Sequence, residues 1–366
     1  MLIILLVFVS LYLSIQIIHL LRINFWSFDK PEQSINIQNL PEISVLVAAR
    51  NEEKNIGKCI ESLLALSYPK HLLHIYIGDD NSTDNTASIV KKYCDSNTPV
   101  NYISIQKTLG VAKGKANVLA HLCKVAKGDY FFITDADITV QPLWAKTILS
   151  YFKNNVAIVS GTTVVKGDGF LSSMQQIDWL YFMDLLLTFD KLGLKSTAVG
   201  NNMAITRSAY EKTGGYENFP FSITEDFMLF YQVRKLGFST INMIHPNAIN
   251  FSAAVDNWKI LLQQRKRWLK GATGLPFYWW IIFLVYASFY PALLALSFYS
   301  FLFVFFLLAV KWLLQSIGVI LRLKQLQIPV SISSIVLYEF YSVCITLGTA
   351  FYFILPQKVN WKGRYY

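Results

Sequence analysis

Asp129-Tyr130-Phe131-Phe132-Ile133-Thr134 is a short aromatic, apolar run, and Asp135-Ala136-Asp137 follows it directly, placing two carboxylates one residue apart. The run has strand length and composition, so a strand is predicted over 129–134. An earlier strand, His74 to Ile77, ends the same way, on Asp79-Asp80-Asn81-Ser82-Thr83-Asp84. Around these two lie a first strand at Ile43 to Ala49, a helix from Glu52 to Leu66, a helix from Asp84 to Tyr93, a strand from Asn101 to Gln106 and a helix from Gly114 to Ala126. Strands alternating with helices imply an α/β domain with a largely parallel sheet. Such sheets bind ligands beyond the carboxyl ends of their strands, where both acidic clusters fall.

The Asp79 cluster opens a helix, so capping of the helix amino terminus explains it as well as ligand binding does. No helix immediately follows Asp135-Ala136-Asp137. Two unpaired acids at a buried strand end repel one another. A hard cation such as Mg2+ or Mn2+ relieves that repulsion and keeps coordination positions open for phosphate oxygens. Further on, Val156 to Val165 reads as strand and Phe170 to Phe189 as an apolar helix, either core or facing a membrane. Asn202 to Thr206 reads as strand, and Thr224 to Leu236 as a helix opened by Ser222, Thr224 and Glu225. Asp256 to Lys270 sets Trp258, Leu261, Leu262 and Trp268 among basic residues, the pattern of a helix lying in a membrane interface.

Apolar residues make up 54% of the chain, and the mean hydropathy is +0.38. Lipid must therefore solvate part of it. A bilayer needs about 20 apolar residues per helical span. Met1 to Leu21 supplies one, Phe277 to Val310, with Pro291 near its middle, is long enough for two, and Ile328 to Leu355 is interrupted by Glu339 alone. The amino-terminal run has no basic segment before it and no small-residue cleavage site after it, so an anchor is expected rather than a signal peptide. The chain thus divides into an anchor (1–22), a soluble domain (40–253), an interfacial helix (254–275), a carboxyl-terminal membrane region (277–356) and a basic tail (357–366).

Arg22, Lys30, Lys266, Arg267 and Lys270 flank the spans, which by the positive-inside rule places a multi-pass protein in the plasma (inner) membrane with its soluble domain in the cytoplasm. Three carboxyl-terminal spans would put the basic tail outside, so the Glu339 stretch is expected to be re-entrant or the span count even. The net charge of +10 suits an anionic membrane or a diphosphate. Nucleic acid has only that bulk charge in its favour and is not expected as a partner. The 4 cysteines show no metal-type pairing and read as free thiols of a reducing compartment.

Taken in order, the strand Ile43 to Ala49 with Arg50-Asn51-Glu52-Glu53, the run from Asp79, Asp135-Ala136-Asp137, Thr224-Glu225-Asp226, and Gln264 spaced to Arg267-Trp268 resemble the D, D, D, QxxRW signature of membrane-bound family 2 glycosyltransferases. The resemblance covers Ile43 to about Gly271. It implies a GT-A fold, the Rossmann-like fold of enzymes using nucleotide-diphospho-sugars, and an activity that moves a sugar from a UDP-sugar. Asp80 would hold the nucleotide base, with Ala48, Arg50 and Glu52 lining its pocket. Asp137 would ligate the metal on the diphosphate, Asp135 would touch sugar or ribose, and Lys115 would lie near the donor. Asp226 would be the base that deprotonates the acceptor hydroxyl, beside Glu225. Gln264 and Arg267 would reach the diphosphate, and Trp268, on the same helix face, would stack on the acceptor. Gly200-Asn201-Asn202 and Gly214-Gly215-Tyr216 match small-residue positions near acceptor and base, and read equally well as turns.

The tail Trp361-Lys362-Gly363-Arg364-Tyr365-Tyr366 is similar to the closing segment of ceramide glucosyltransferase-like enzymes, which favours a membrane lipid as acceptor. A processive synthase making a glucose- or N-acetylglucosamine-type polymer is the alternative. With so few spans, it would need a partner subunit in the membrane to enclose a channel. A non-catalytic nucleotide-binding scaffold or transporter is the alternative of another class.

Overall fold

In the computed structural model, which describes residues 1–25, 39–94, 99–356, 360–361 and 364–365, the chain opens on an apolar helix, α1 (Leu2–Phe25). An α/β unit follows: β1 (Ile43–Ala49), α2 (Ile56–Leu64), β2 (Leu73–Asp79), α3 (Thr86–Cys94), β3 (Val100–Ser104), α4 (Lys115–Val125) and β4 (Tyr130–Asp135). Then come β5 (Ile138–Thr139), α5 (Trp144–Leu149), β6 (Val156–Ser160), β7 (Thr163–Lys166), a long helix α6 (Phe170–Lys191), β8 (Asn202–Thr206), α7 (Arg207–Thr213), α8 (Glu225–Lys235), β9 (Ser239–Asn242) and β10 (Asn250–Ala253). Four helices close the helical part: α9 (Trp258–Ala272), α10 (Phe277–Ser297), α11 (Phe301–Leu326) and α12 (Ile332–Ile354). Most of the connector from Asp29 to Glu42, with Lys30, and most of the tail after Pro356 lie outside the described residues.

The main sheet runs β3-β2-β1-β4-β8-β6-β9, and a small sheet β5-β10-β7 lies beside it. Its first four strands are parallel, β6 and β9 run the same way, and only β8 is antiparallel, so the sheet is largely parallel, as expected, with one reversed strand. A strand's composition does not encode its direction. The single strand expected over 156–165 is two, because Gly161 turns the chain against Asn202, whose amide leaves no room for a Cβ, and sends β7 into the small sheet. Successive residues of β4 feed opposite cores: Phe132 packs with Val45, Ile75 and Trp144, and Phe131 and Ile133 with Leu46, Leu119 and Leu122.

Register brings the acids together. Ala48 of β1 stands between Gly78 on β2 and Asp135 on β4, and Ala49 pairs with Asp79. The sheet edge therefore presents both acidic clusters side by side. A Cβ on Gly78 would stand 2.4 Å from a Val118 methyl carbon, so this glycine lets α4 lie close enough to carry Lys115 to the same edge.

Four helices, α1, α10, α11 and α12, are long and apolar enough to cross a membrane. Pro291 lies inside α10, and the break between α10 and α11 falls at Phe298–Ser300. The stretch around Glu339 is one continuous helix rather than a broken re-entrant hairpin. α11 extends past Lys311, whose ammonium pairs with Glu339. Asp184 of α6 receives Arg22 of α1 and, at 2.9 Å, Arg322 of α11, all buried, which ties the apolar helices to the α/β unit.

Candidate active site

The Asp79 cluster divides its labour. Asp79 accepts from the Ser82 backbone N–H at 3.1 Å and from the Tyr102 hydroxyl at 2.9 Å. Asp84 accepts from the Thr86 N–H at 3.0 Å and the Glu53 N–H at 3.1 Å. Those two acids hold the loop and cap α3, as the capping reading required, and the helix accordingly starts at Thr86 rather than Asp84. Asp80 is buried at the sheet edge, with Arg50 donating to its carbonyl and the guanidinium 4.0 Å from its carboxylate. Glu52 is buried beside them, its N–H on the Thr86 hydroxyl at 2.7 Å and its carboxylate accepting from Asn55 at 3.0 Å. Asn51 and Asn81 both hold positive φ, 53° and 54°, a backbone state asparagine tolerates better than most residues.

Lys115 joins the second cluster to the third. Its ammonium is 2.6 Å from Asp135 and 2.8 Å from Glu225, the first residue of α8. Burial disfavours its charged form, but Asp135, Glu225 and Asp226 outweigh this and hold its pKa above the usual lysine range. Asp226 is gripped by the backbone: Gly200 N–H donates to one carboxylate oxygen at 3.0 Å and Phe227 N–H to the other at 2.8 Å. A Cβ on Gly200 would lie 2.6 Å from Asp226 Cβ, so only glycine permits this approach. Burial and the neighbouring Glu225 push the Asp226 carboxyl up to about 6. Glu225, although burial raises it, is held below the usual range by Lys115.

The helix α9 closes the site. Gly271 packs so tightly on Thr224 that a Cβ would come within 2.2 Å of the threonine methyl, which seats α9 against the start of α8. Arg267 thereby lines a cleft of about 330 Å3 with Lys115, Glu225, Lys113 and Phe221. Gln264 is half-buried one turn earlier. Trp268 meets Trp179 edge-on with centroids 4.8 Å apart and carries the Arg265 guanidinium 4.5 Å from its centroid, so an edge and a face of its ring are engaged within the protein.

The donor set fits a divalent cation bound together with a diphosphate. Burial and the adjacent Asp135 push Asp137 up to about 6, the mark of a carboxylate short of positive charge. Four acids, Asp135, Asp137, Glu225 and Asp226, outnumber the cations near them, Lys113, Lys115 and Arg267, and the excess negative charge would repel an anionic substrate. Among the described residues no group of three or more histidine, cysteine or acidic side chains forms a closed metal site, so phosphate oxygens would complete the shell.

Ala48, Arg50, Glu52, Asp80, Lys115, Asp135, Asp137, Glu225, Asp226 and Arg267 thus converge on one edge, whereas the Trp268 ring is engaged elsewhere and, among the described residues, no contact of Gln264 brings it there. Sequence reasoning named Gly200 but not its hold on Asp226, and it missed Lys113 and Phe221, whose only signal was a lysine 5.6 Å from an exposed ring across a loop.

A sheet of this topology with acids at its carboxyl edge defines a GT-A-type nucleotide-sugar transferase. The chain belongs to the family 2 glycosyltransferases: residues 130–355 match the profile of glycosyl transferase family group 2, and residues 44–214 that of glycosyl transferase family 2. It is similar to the probable glycosyltransferase YdaM of Bacillus subtilis, 29% identical over 68% of this chain and 60% of the relative. It is also similar to a β-monoglucosyldiacylglycerol synthase of Synechocystis, 24% identical over 66% of this chain and 50% of the relative. A poly-β-1,6-N-acetyl-D-glucosamine synthase of Staphylococcus aureus is 27% identical over 66% and 57%. The chain therefore spans half to three-fifths of the length of these relatives. The mannosyltransferase PcManGT of Pyrobaculum calidifontis, solved with GDP-Man and Mn2+, shares the fold with a TM-score of 0.60, 17% identity and 96% coverage of both chains.

Proposed function

We propose that this enzyme transfers a sugar from a UDP-sugar to a membrane lipid with inversion at the anomeric carbon, Asp226 acting as general base. The observation that carries the proposal is the Lys115 bridge, which links Asp135 to Glu225 and so draws Asp135-Ala136-Asp137 and Glu225-Asp226 together beside the cleft that Arg267 lines. Asp80, with Ala48, Arg50 and Glu52, holds the nucleotide. Asp137, supported by Asp135, would hold Mg2+ or Mn2+, which when bound would supply positive charge against the diphosphate leaving group. Arg267, with Gln264, and Lys115 stabilise the same departing charge. The acceptor hydroxyl loses its proton to Asp226, and backbone N–H donors to both oxygens fix that carboxylate's direction. A single base facing the anomeric carbon from the side opposite the leaving group gives one displacement and so inversion.

A lipid acceptor accords with α1, α10, α11 and α12, apolar helices that would hold the catalytic unit against a bilayer. It accords also with the diacylglycerol-linked product named for one relative. The catalytic domain then faces the cytoplasm, where nucleotide sugars are found, across a multi-pass arrangement in the plasma membrane. Nucleoside diphosphate release is the test, from a panel of nucleotide sugars with membranes carrying wild-type or Asp226→Asn protein, in Mn2+ or EDTA, followed by mass analysis of the lipid fraction. Metal- and Asp226-dependent release with a lipid one sugar heavier supports the proposal. A long insoluble product replaces it with a processive synthase, and no release from any donor sinks it.

A further inference from the structure

α12 is long enough to cross a membrane, yet it packs on the catalytic unit. Its buried Ile335, Tyr338, Tyr341 and Ile345 join Val164, Met174, Ile177 and Leu261, with Val319 and Leu323 from the second half of α11, in one apolar cluster, whereas α1, α10 and the first half of α11 form another around Tyr12, Phe289 and Leu307. The contacts with α9 run in step. Trp258 meets Tyr341 with ring centroids 5.5 Å apart, Leu262 lies against Gly348, and Lys266 donates to the Tyr352 carbonyl at 3.0 Å and the Leu355 carbonyl at 2.6 Å. Tyr338 donates to Asp178 of α6 at 3.0 Å, and Arg265 of α9 pairs with the same carboxylate.

Ascending numbers on both helices mean that α9 and the second half of α12 run side by side in the same direction. α9 carries Lys259, Arg265, Lys266, Arg267 and Lys270 and lines the active-site cleft, so it cannot enter hydrocarbon. A helix alongside it lies at the same level. Composition agrees: α12 is the least apolar of the four apolar helices. Its outward row, Val336, Leu337, Phe340, Leu347, Phe351 and Ile354, is exposed and uncharged, as a half-submerged helix requires. Glu339, bound by Lys311 and by the Tyr290 hydroxyl at 2.9 Å, holds the first half against α11 and α10, so that end dips deeper.

We propose that α12 is an interfacial helix on the catalytic face, its apolar row seated in lipid, so that Pro356 at its end lies on the same side as the active site. Basic Lys358, Lys362 and Arg364 then follow the positive-inside rule that a fourth span would break.

The test is single-cysteine accessibility in sealed vesicles of both orientations, with Cys94 and Cys344 replaced by serine and the buried Cys59 and Cys123 retained. Ser331→Cys and Pro356→Cys should react with a membrane-impermeant maleimide from the catalytic side, and Ser300→Cys from the other. Reaction of Pro356→Cys from the Ser300 side overturns the proposal. A protease site inserted after Pro356 in the otherwise native chain gives a second reading: cleavage from the catalytic side supports the placement, and cleavage from the opposite side overturns it.

Discussion

Lys115 Nζ stands 2.8 Å from Glu225 Oε1, so the first residue of α4 closes on the first residue of α8. The link spans more than a hundred residues of sequence and fixes the charge seen by the neighbouring base.

Its removal should therefore shift the pH profile. As the proposed base Asp226 would work deprotonated, and burial and Glu225 push its carboxyl up to about 6, so turnover should fall tenfold per unit as pH drops below that value. Lys115 pulls the Asp226 carboxyl down against burial and Glu225. Lys115→Met removes that pull, so the acidic limb should move to higher pH while the maximal rate also falls. A limb that stays in place in kcat against pH would show that Lys115 does not tune the base.

Asp226→Asn should lower kcat by about 100- to 10,000-fold, the usual contribution of a positioned proton acceptor. Binding of the UDP-sugar, followed by calorimetry, should change little, because Asp226 is held by Gly200 and Phe227 rather than by the acids nearest the metal. The stability effect has a definite sign. A carboxyl raised to about 6 favours folding when protonated, a contribution present below the unfolded value near 4 and lost as pH rises through 6. Asparagine does not ionise, so any gain in Tm over wild type should be larger at pH 8 than at pH 4.

Much of this site was legible before the fold because its chemistry is local in sequence: acids follow apolar runs, and Gln264, Arg267 and Trp268 recur at helical spacing. Direction and distance were not. Nothing in Asn202 to Thr206 announces an antiparallel strand, and the Gly200 contact with Asp226 exists only because that strand returns beside β4. The apolar helices were the least legible part. Lys311 fell just beyond an apolar run that stops at Val310, and only the Glu339 partner on another helix shows why a lysine is tolerated there. Pro291, near the middle of the run from Phe277 to Val310, lies inside α10, since a proline within an apolar helix is accommodated by neighbouring helices.

Chelation should abolish nucleoside diphosphate release, and Asp137→Asn should weaken Mn2+ binding in the presence of UDP, measured by electron paramagnetic resonance. Burial and the adjacent Asp135 leave Asp137 short of positive charge, whereas Asp135 already has Lys115 at 2.6 Å. Asp137→Asn should therefore cost more Mn2+ affinity than Asp135→Asn, and the reverse order would assign the primary ligand to Asp135.

Gly271→Val tests the seat of α9. Its side chain would overlap Thr224, which immediately precedes Glu225 and Asp226, and overpacking of this kind costs about 1–3 kcal/mol. The displacement is local, so kcat should fall by more than Tm alone explains. Gly237→Val is the control, since that glycine has φ +84° but nothing within 4 Å of an added Cβ. It should lower Tm through backbone strain while sparing kcat of the folded enzyme.

Asp184 is the joint between the apolar helices and the catalytic unit. One buried carboxylate faces Arg22 and Arg322, both buried, with His19 3.7 Å away. Removing the acid strands two guanidiniums in a poorly hydrated place, so Asp184→Ala should cost about 3–5 kcal/mol, read as a fall in Tm of the detergent-solubilised enzyme. Replacing the whole group by apolar residues, Asp184→Leu with Arg22→Met and Arg322→Met, should recover most of that loss, because desolvation of the ions offsets much of their attraction in the native protein. If the triple variant is as unstable as Asp184→Ala, the ion cluster itself, rather than the uncompensated charge, holds α1 and α11 to α6.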